Sequence, residues 1–148
     1  MIKFSKLTDY AVVILTTLQN SDEALLSAST LSQRTSLPEP TVSKALKLLA
    51  KGSIITSLRG ANGGYSLART SKEITVYEIA CAMEGDIALA ACVDDHDGCC
   101  DIADSCALNG RWNSVNNAVK DALQSVTLYD MTPPNPFLTD ADFEEMPL

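Results

Sequence analysis

Leu7, Ala11, Leu15 and Leu18 recur at helical spacing, and Val12 and Ile14 widen the stripe, which predicts a first helix over about residues 6–19. Asn20, Ser21 and Asp22 end it. Ser27 then stands as the N-cap of a short second helix carrying Ala28, Leu31 and Arg34. Thr35-Ser36-Leu37-Pro38 reads as a tight turn. Pro40 sits at the start of a third helix, where its missing N–H costs nothing. Val42, Ala45, Leu46, Leu48 and Leu49 give that helix its apolar face, and Gly52 stops it. A helix followed by two shorter ones across a short turn is a helix-turn-helix pattern.

The period then switches from helical to alternating. Ile54 to Leu58 is β-rich, Arg59-Gly60-Ala61-Asn62-Gly63-Gly64 is a turn, and Tyr65 to Arg69 alternates again, which predicts a two-stranded wing. Thr75-Val76-Tyr77-Glu78 has the form of a capping box and opens a fourth helix with Val76, Ile79, Ala80 and Met83 on one face. Much further on, Trp112, Val115, Val119, Ala122, Leu123 and Val126 mark a long last helix. Its stripe continues after the N-terminal core should be closed, so it is assigned to dimerisation. Past Met131, Pro133, Pro134, Pro136 and a run of acids predict a disordered acidic tail.

The fold class expected is therefore mainly α with a small β wing: a winged helix-turn-helix domain plus a long C-terminal dimerisation helix. The segments are a DNA-binding domain over 1–85, a cysteine-rich loop over 86–108, a dimerisation helix over 109–130 and a tail over 131–148. There is no internal repeat.

Length and charge refine this picture. The 148 residues suffice for about one domain. No apolar run reaches membrane-spanning length, and the N-terminus lacks a signal peptide's apolar block, so a cytoplasmic protein without membrane contact is expected. The formal net charge of −8 looks wrong for a nucleic-acid binder. Its distribution is not: residues 1–75 carry nine basic against five acidic side chains, while the remainder has a balance of −12. A basic first half can track phosphate, and an acidic second half keeps away from it.

The candidate DNA contacts follow from the elements. Thr41, Ser43, Lys44 and Lys47 lie on the polar side of the third helix, where hydroxyls and ammonium groups can reach base edges and phosphates. Arg59 and Asn62 lie at the wing tip among small residues that let the backbone approach a minor groove.

Four of the five cysteines fall between Cys92 and Cys106, in a stretch rich in aspartate with Gly98 at its middle. Such a loop gains little from four thiols unless they bind something, and thiolate suits iron–sulfur clusters, zinc or copper(I). In the cytoplasm clustered cysteines point to a metal or redox site rather than disulfides. Cys99 and Cys100 are adjacent, a poor geometry for bonding each other. No nucleophile–base pair or phosphate loop marks an enzyme.

Together these residues resemble a known family. Lys6-Leu7-Thr8-Asp9-Tyr10-Ala11, the wing run Arg59 to Tyr65, the helix from Thr75 to Met83 and the cysteine loop are similar to the Rrf-type winged-helix regulators, the group containing the iron–sulfur regulator IscR and the nitric oxide sensor NsrR. The likeness covers about residues 1–130. The Thr41 to Leu49 helix and Cys106 to Trp112 look closest to the family's SUF-system regulators of iron–sulfur assembly genes. The resemblance implies a homodimeric regulator, expected to be a repressor, on double-stranded DNA with a palindromic operator. It also implies an iron–sulfur cluster, 2Fe-2S or 4Fe-4S, on Cys92, Cys100 and Cys106. The fourth ligand stays open. Asn109 stands where IscR-like members have histidine, and Asp9 of the other subunit matches the NsrR-like carboxylate, with His96 and Cys99 as substitutes. Two other readings stand beside this one: an iron–sulfur carrier or scaffold without DNA binding, and a winged-helix regulator whose cysteines hold zinc or respond to oxidation.

Overall fold

The computed structural model describes residues 3–90, 92–93, 102 and 105–132. The first helix, α1, runs Lys6–Gln19, with Ser5 as its N-cap accepting from the Thr8 N–H. Helix α2 runs Ala28–Thr35, and Ser27 accepts from the Thr30 N–H in the same way. Helix α3 runs Glu39–Lys51 with Pro40 in its first turn. Between α2 and α3, Ser36 takes a left-handed conformation with φ 57°. The Ser32 hydroxyl donates to the Leu37 carbonyl at 2.6 Å and clasps the turn. The expected helix-turn-helix is present.

The strands β1 (Ile55–Leu58) and β2 (Gly64–Leu67) pair antiparallel, with Ile55 opposite Leu67 and Leu58 opposite Gly64. Leu26 and Tyr65 exchange both backbone hydrogen bonds, at 3.1 and 2.8 Å, and pin the wing to the segment before α2. The Asn62-Gly63 pair does not shape the turn by left-handed backbone. The positive φ falls at Gly60, at 118°. Gly63 is required for space instead, since a β-carbon there would lie 2.2 Å from the Leu58 carbonyl oxygen.

Helix α4 (Val76–Glu84) opens on the full Thr75–Glu78 capping box. The core closes between α1, α2, α3 and α4 through Ala11, Ile14, Leu15, Leu31, Val42, Leu46, Leu49 and Ile79, all buried. The Leu, Ile and Val side chains among them contribute about 1.5–3 kcal/mol each when fully buried.

The last helical region differs from the expectation of one continuous helix. Helix α5 covers Trp112–Gln124 and ends there. A separate short helix, α6 (Leu128–Met131), follows with its own capping box, Thr127 with Asp130. The reason is a backbone exchange across the break. The Val76 N–H donates to the Val126 carbonyl at 2.9 Å, and the Leu128 N–H donates to the Ile74 carbonyl at 2.8 Å. Continuing the helix would withdraw both groups. Leu128 is fully buried and belongs to the N-terminal core rather than to the α5 stripe. Residues 131 and 132 complete α6 and its cap, so they are not tail. The rest of the expected acidic tail, 133–148, lies outside the described residues. No helix among the described residues is long and apolar enough to cross a membrane.

Candidate nucleic-acid interface and cysteine loop

The polar side of α3 is set by its apolar side. With Val42, Ala45, Leu46 and Leu49 buried in the core, Ser43, Lys44 and Lys47 are turned to solvent and Thr41 is half-buried. Arg59 and Asn62 are exposed on the wing between β1 and β2. The charge on these residues is unspent. Arg34 is paired with Glu23, Arg69 with Glu78 at 2.8 Å, and Lys72 sits over the Tyr129 ring. Among the described residues no such partner holds Lys44, Lys47 or Arg59. Exposed, unpaired cations on a helix face and a wing are chemically suited to phosphate.

The cysteine loop is described only at its ends. Cys92 and Cys106 are half-buried free thiols, one on each side of it. His96, Cys99 and Cys100 lie outside the described residues. After Cys106 the chain turns through bonds from the Asn109 N–H to the Cys106 carbonyl and from the Arg111 N–H to the Leu108 carbonyl, at 3.1 and 3.0 Å, into α5. Gly110, at φ 73°, supplies the left-handed step in that turn. Among the described residues no three His, Cys, Asp or Glu side chains converge on a metal position. Asp9 is far from idle surface, however. It is exposed on the first turn of α1 and lines a cavity of about 350 Å³ between α1, α4 and α6, walled by Phe4, Val12, Val76, Ile79 and Met131. No side-chain bond or ion pair within the described chain engages its carboxylate.

The fifth cysteine, Cys81, lies on α4 away from the loop. Its hydrogen bond with Tyr77, one turn earlier, raises the phenol above its ordinary value, with burial adding to the effect.

The match to family models settles what kind of scaffold this is. Residues 4–134 match the Rrf2 model, described as an iron-dependent transcriptional regulator. The chain belongs to the Rrf2 family. It is a transcriptional regulator with the winged-helix fold of that family, and the family is not one of enzymes. The transcriptional regulator NsrR of Oceanobacillus iheyensis is 29% identical over 127 residues, covering 85% of this chain and 86% of that protein. Among solved structures, CymR, the global cysteine regulator of B. subtilis, is 28% identical at a TM-score of 0.66, covering 88% of this chain and 96% of that one. IscR of T. potens is 28% identical at a TM-score of 0.61, covering 99% of this chain and 93% of that one.

Against this Rrf2 scaffold, two residues with clear structural roles, Glu84 and Asn116, carry no role in the sequence reading. Glu84 ends α4 and accepts from the Ser5 N–H at 2.8 Å and from the Thr8 hydroxyl. Those bonds, first from the Thr8 side chain and then from Ser5, hold its carboxyl below the ordinary carboxylate value. Asn116 is 1% exposed on an otherwise open helix, and its Oδ1 accepts from the Leu89 N–H at 3.1 Å. Glu84 carries no sequence signal. Asn116 does: it is a polar residue on the Trp112, Val115, Val119, Leu123 stripe, a position that calls for an apolar side chain unless a hydrogen bond waits there.

Proposed function

We propose that this Rrf2 protein is a cytoplasmic, homodimeric transcriptional regulator that senses an iron–sulfur cluster and represses genes for cluster assembly, the SUF system being the expected target. Residues 1–85 carry the DNA contacts, 86–108 the sensing loop, and α5 with its neighbours the subunit contact. The observation that carries this reading is the pair of free thiols, Cys92 and Cys106, held at the two mouths of the loop in a family described as iron-dependent.

The donor set fits a cluster. Cys92 and Cys106, with Cys100 between them, supply three soft thiolates, and the partner subunit's Asp9 supplies the fourth, harder donor. An exposed carboxylate with no intrachain partner is what ligation from the other subunit requires. Bound there, the cluster would supply an iron centre that oxygen, nitric oxide or iron shortage can alter. The residues of this chain do the rest. Around it, three thiolates would draw the loop together, and Asp9 would tie the first helix of one subunit to the loop of the other. That arrangement fixes the spacing of two α3 helices carrying Thr41, Ser43, Lys44 and Lys47, with Arg59 and Asn62 on the wings, over two halves of a palindromic operator. The exposed apolar side chains of α5, Trp112 at 43% and Val115 at 47%, give the second copy a face to cover.

Anaerobic purification with iron and sulfide analysis tests the reading, followed by operator selection with the loaded and unloaded forms. Brown, dimeric protein whose colour is lost in Cys106→Ala is the expected result. Colourless protein with stoichiometric zinc overturns the cluster. The likeness to CymR, the global cysteine regulator, favours a second reading in that event: the same scaffold answering a small metabolite. DNA-free brown protein would instead point to a carrier.

A further inference from the structure

The described residues bury two polar side chains, Thr8 at 4% and Asn116 at 1% exposure. Burying a polar group is costly unless it is bonded, so an apolar residue is the cheaper choice at both places. Both buried groups serve the same short segment. Thr8, with the Ser5 N–H, holds Glu84 at the end of α4. Asn116 holds the Leu89 N–H. Five residue steps, from Glu84 to Leu89, separate the two fastenings, a reach of about 17 Å at full extension. Gly85 turns the chain out of α4 at φ 89°, and Cys92 follows Leu89 by three residues.

We propose that residues 84–89 act as a strap coupling the cysteine loop to the N-terminus of α1, fastened at one end by Glu84 on Ser5 and Thr8 and at the other by Asn116 on Leu89. Across so short a segment, a displacement of Cys92 is delivered to both fastenings. At the Glu84 end it reaches the first turn of α1, which carries Asp9 and packs on α3. At the Asn116 end it reaches α5. Glu84 and Asn116 are thus positioning residues: neither touches DNA nor belongs to the ligand set. The strap stands on its own geometry; its role in gene control rests on the regulatory reading above.

Amide hydrogen exchange on cluster-free, isotope-labelled protein tests the strap, with the Ser5, Thr8 and Leu89 amides as reporters and the Leu31 amide in α2 as control. In Asn116→Ala, exchange should rise about tenfold at Leu89 and also at Ser5 and Thr8, while Leu31 is unchanged. In Glu84→Ala the rise should spread in the other direction, to Leu89. Glu84→Gln keeps a carbonyl acceptor and should stay near wild type. Effects confined to each variant's own end overturn the coupling and leave two unrelated caps. Should Asn116→Ala unfold the domain, Glu84→Ala tests the same coupling from the opposite end. In loaded protein, Glu84→Ala should bring the loaded-to-unloaded ratio of operator affinity toward one with iron and sulfide content unchanged. An unchanged ratio overturns the regulatory role of the strap. A ratio of one in wild type sinks the regulatory reading itself, and the exchange data still decide the strap.

Discussion

Gly52 and Ala82 pack so closely that a β-carbon on Gly52 would lie 2.5 Å from the Ala82 Cβ. Position 52, with φ −79°, is open to any residue by its backbone, and the left-handed step falls one residue later, at Ser53. The glycine is there for contact between the end of α3 and α4. Gly52→Ala should therefore cost about 1–3 kcal/mol through overpacking. Ala82→Gly should restore part of it in the double variant, less the price of a helix-interior glycine. Denaturant titration of the four proteins checks this, and additive single effects would refute it.

Glu84 makes stability depend on acid. Its folded-state carboxyl lies below the ordinary value of 4.5 because Thr8 and Ser5 donate to it. A lowered pKa contributes stability that is present above that ordinary value and disappears as pH falls through the folded one. Glu84→Gln should flatten the acid limb of the stability curve below about pH 4.5 and shift pH 7 stability far less than Glu84→Ala does. Circular dichroism melts between pH 3 and pH 7 measure it. Part of the acid sensitivity persists in the variant, since Glu73 and Asp130 are lowered in the same direction by Thr70 and Thr127.

Leu128 and Val115 separate core from surface in the C-terminal region. Leu128→Ala, at a fully buried position, should destabilise the fold by about 2–5 kcal/mol. Val115→Ala, at a position 47% exposed, should leave the folded chain within about 0.5 kcal/mol and weaken self-association. Denaturation and sedimentation distinguish the two outcomes. Unchanged association in Val115→Ala would remove that residue from the subunit contact.

Lys44 and Arg59 should each remove about one unit from the slope of log affinity against log salt when changed to Ala, if both meet phosphate. Arg34 is the control, because Glu23 already holds it. Arg34→Ala should change operator binding little. Equal effects from all three would mean that general charge, rather than placement on α3 and the wing, carries the binding.

The elements read best from sequence were those whose signals are local. Leu7, Ala11, Leu15 and Leu18 declare α1 by period, Ser27 and Thr75 declare starts by capping chemistry, and the wing declares itself by alternation between glycines. A capping pair at Thr127 and Asp130 was equally local, yet the apolar run from Trp112 to Val126 outweighed it. The break there serves Ile74 and Val76, about fifty residues upstream. The iron-dependent family likewise was legible, because a wing followed by a cysteine loop is a rare combination of local features.

The sequence by itself determined the helix-turn-helix, the wing, the sign of charge on each half and the clustering of cysteines in one loop, since periodicity, capping and charge act between neighbours. Tertiary structure alone decided which cations stay unpaired, why position 52 must be glycine, and where Glu84 and Asn116 fasten the strap. Those outcomes depend on groups distant in sequence meeting at hydrogen-bond or van der Waals distance, and a linear pattern does not encode such distances.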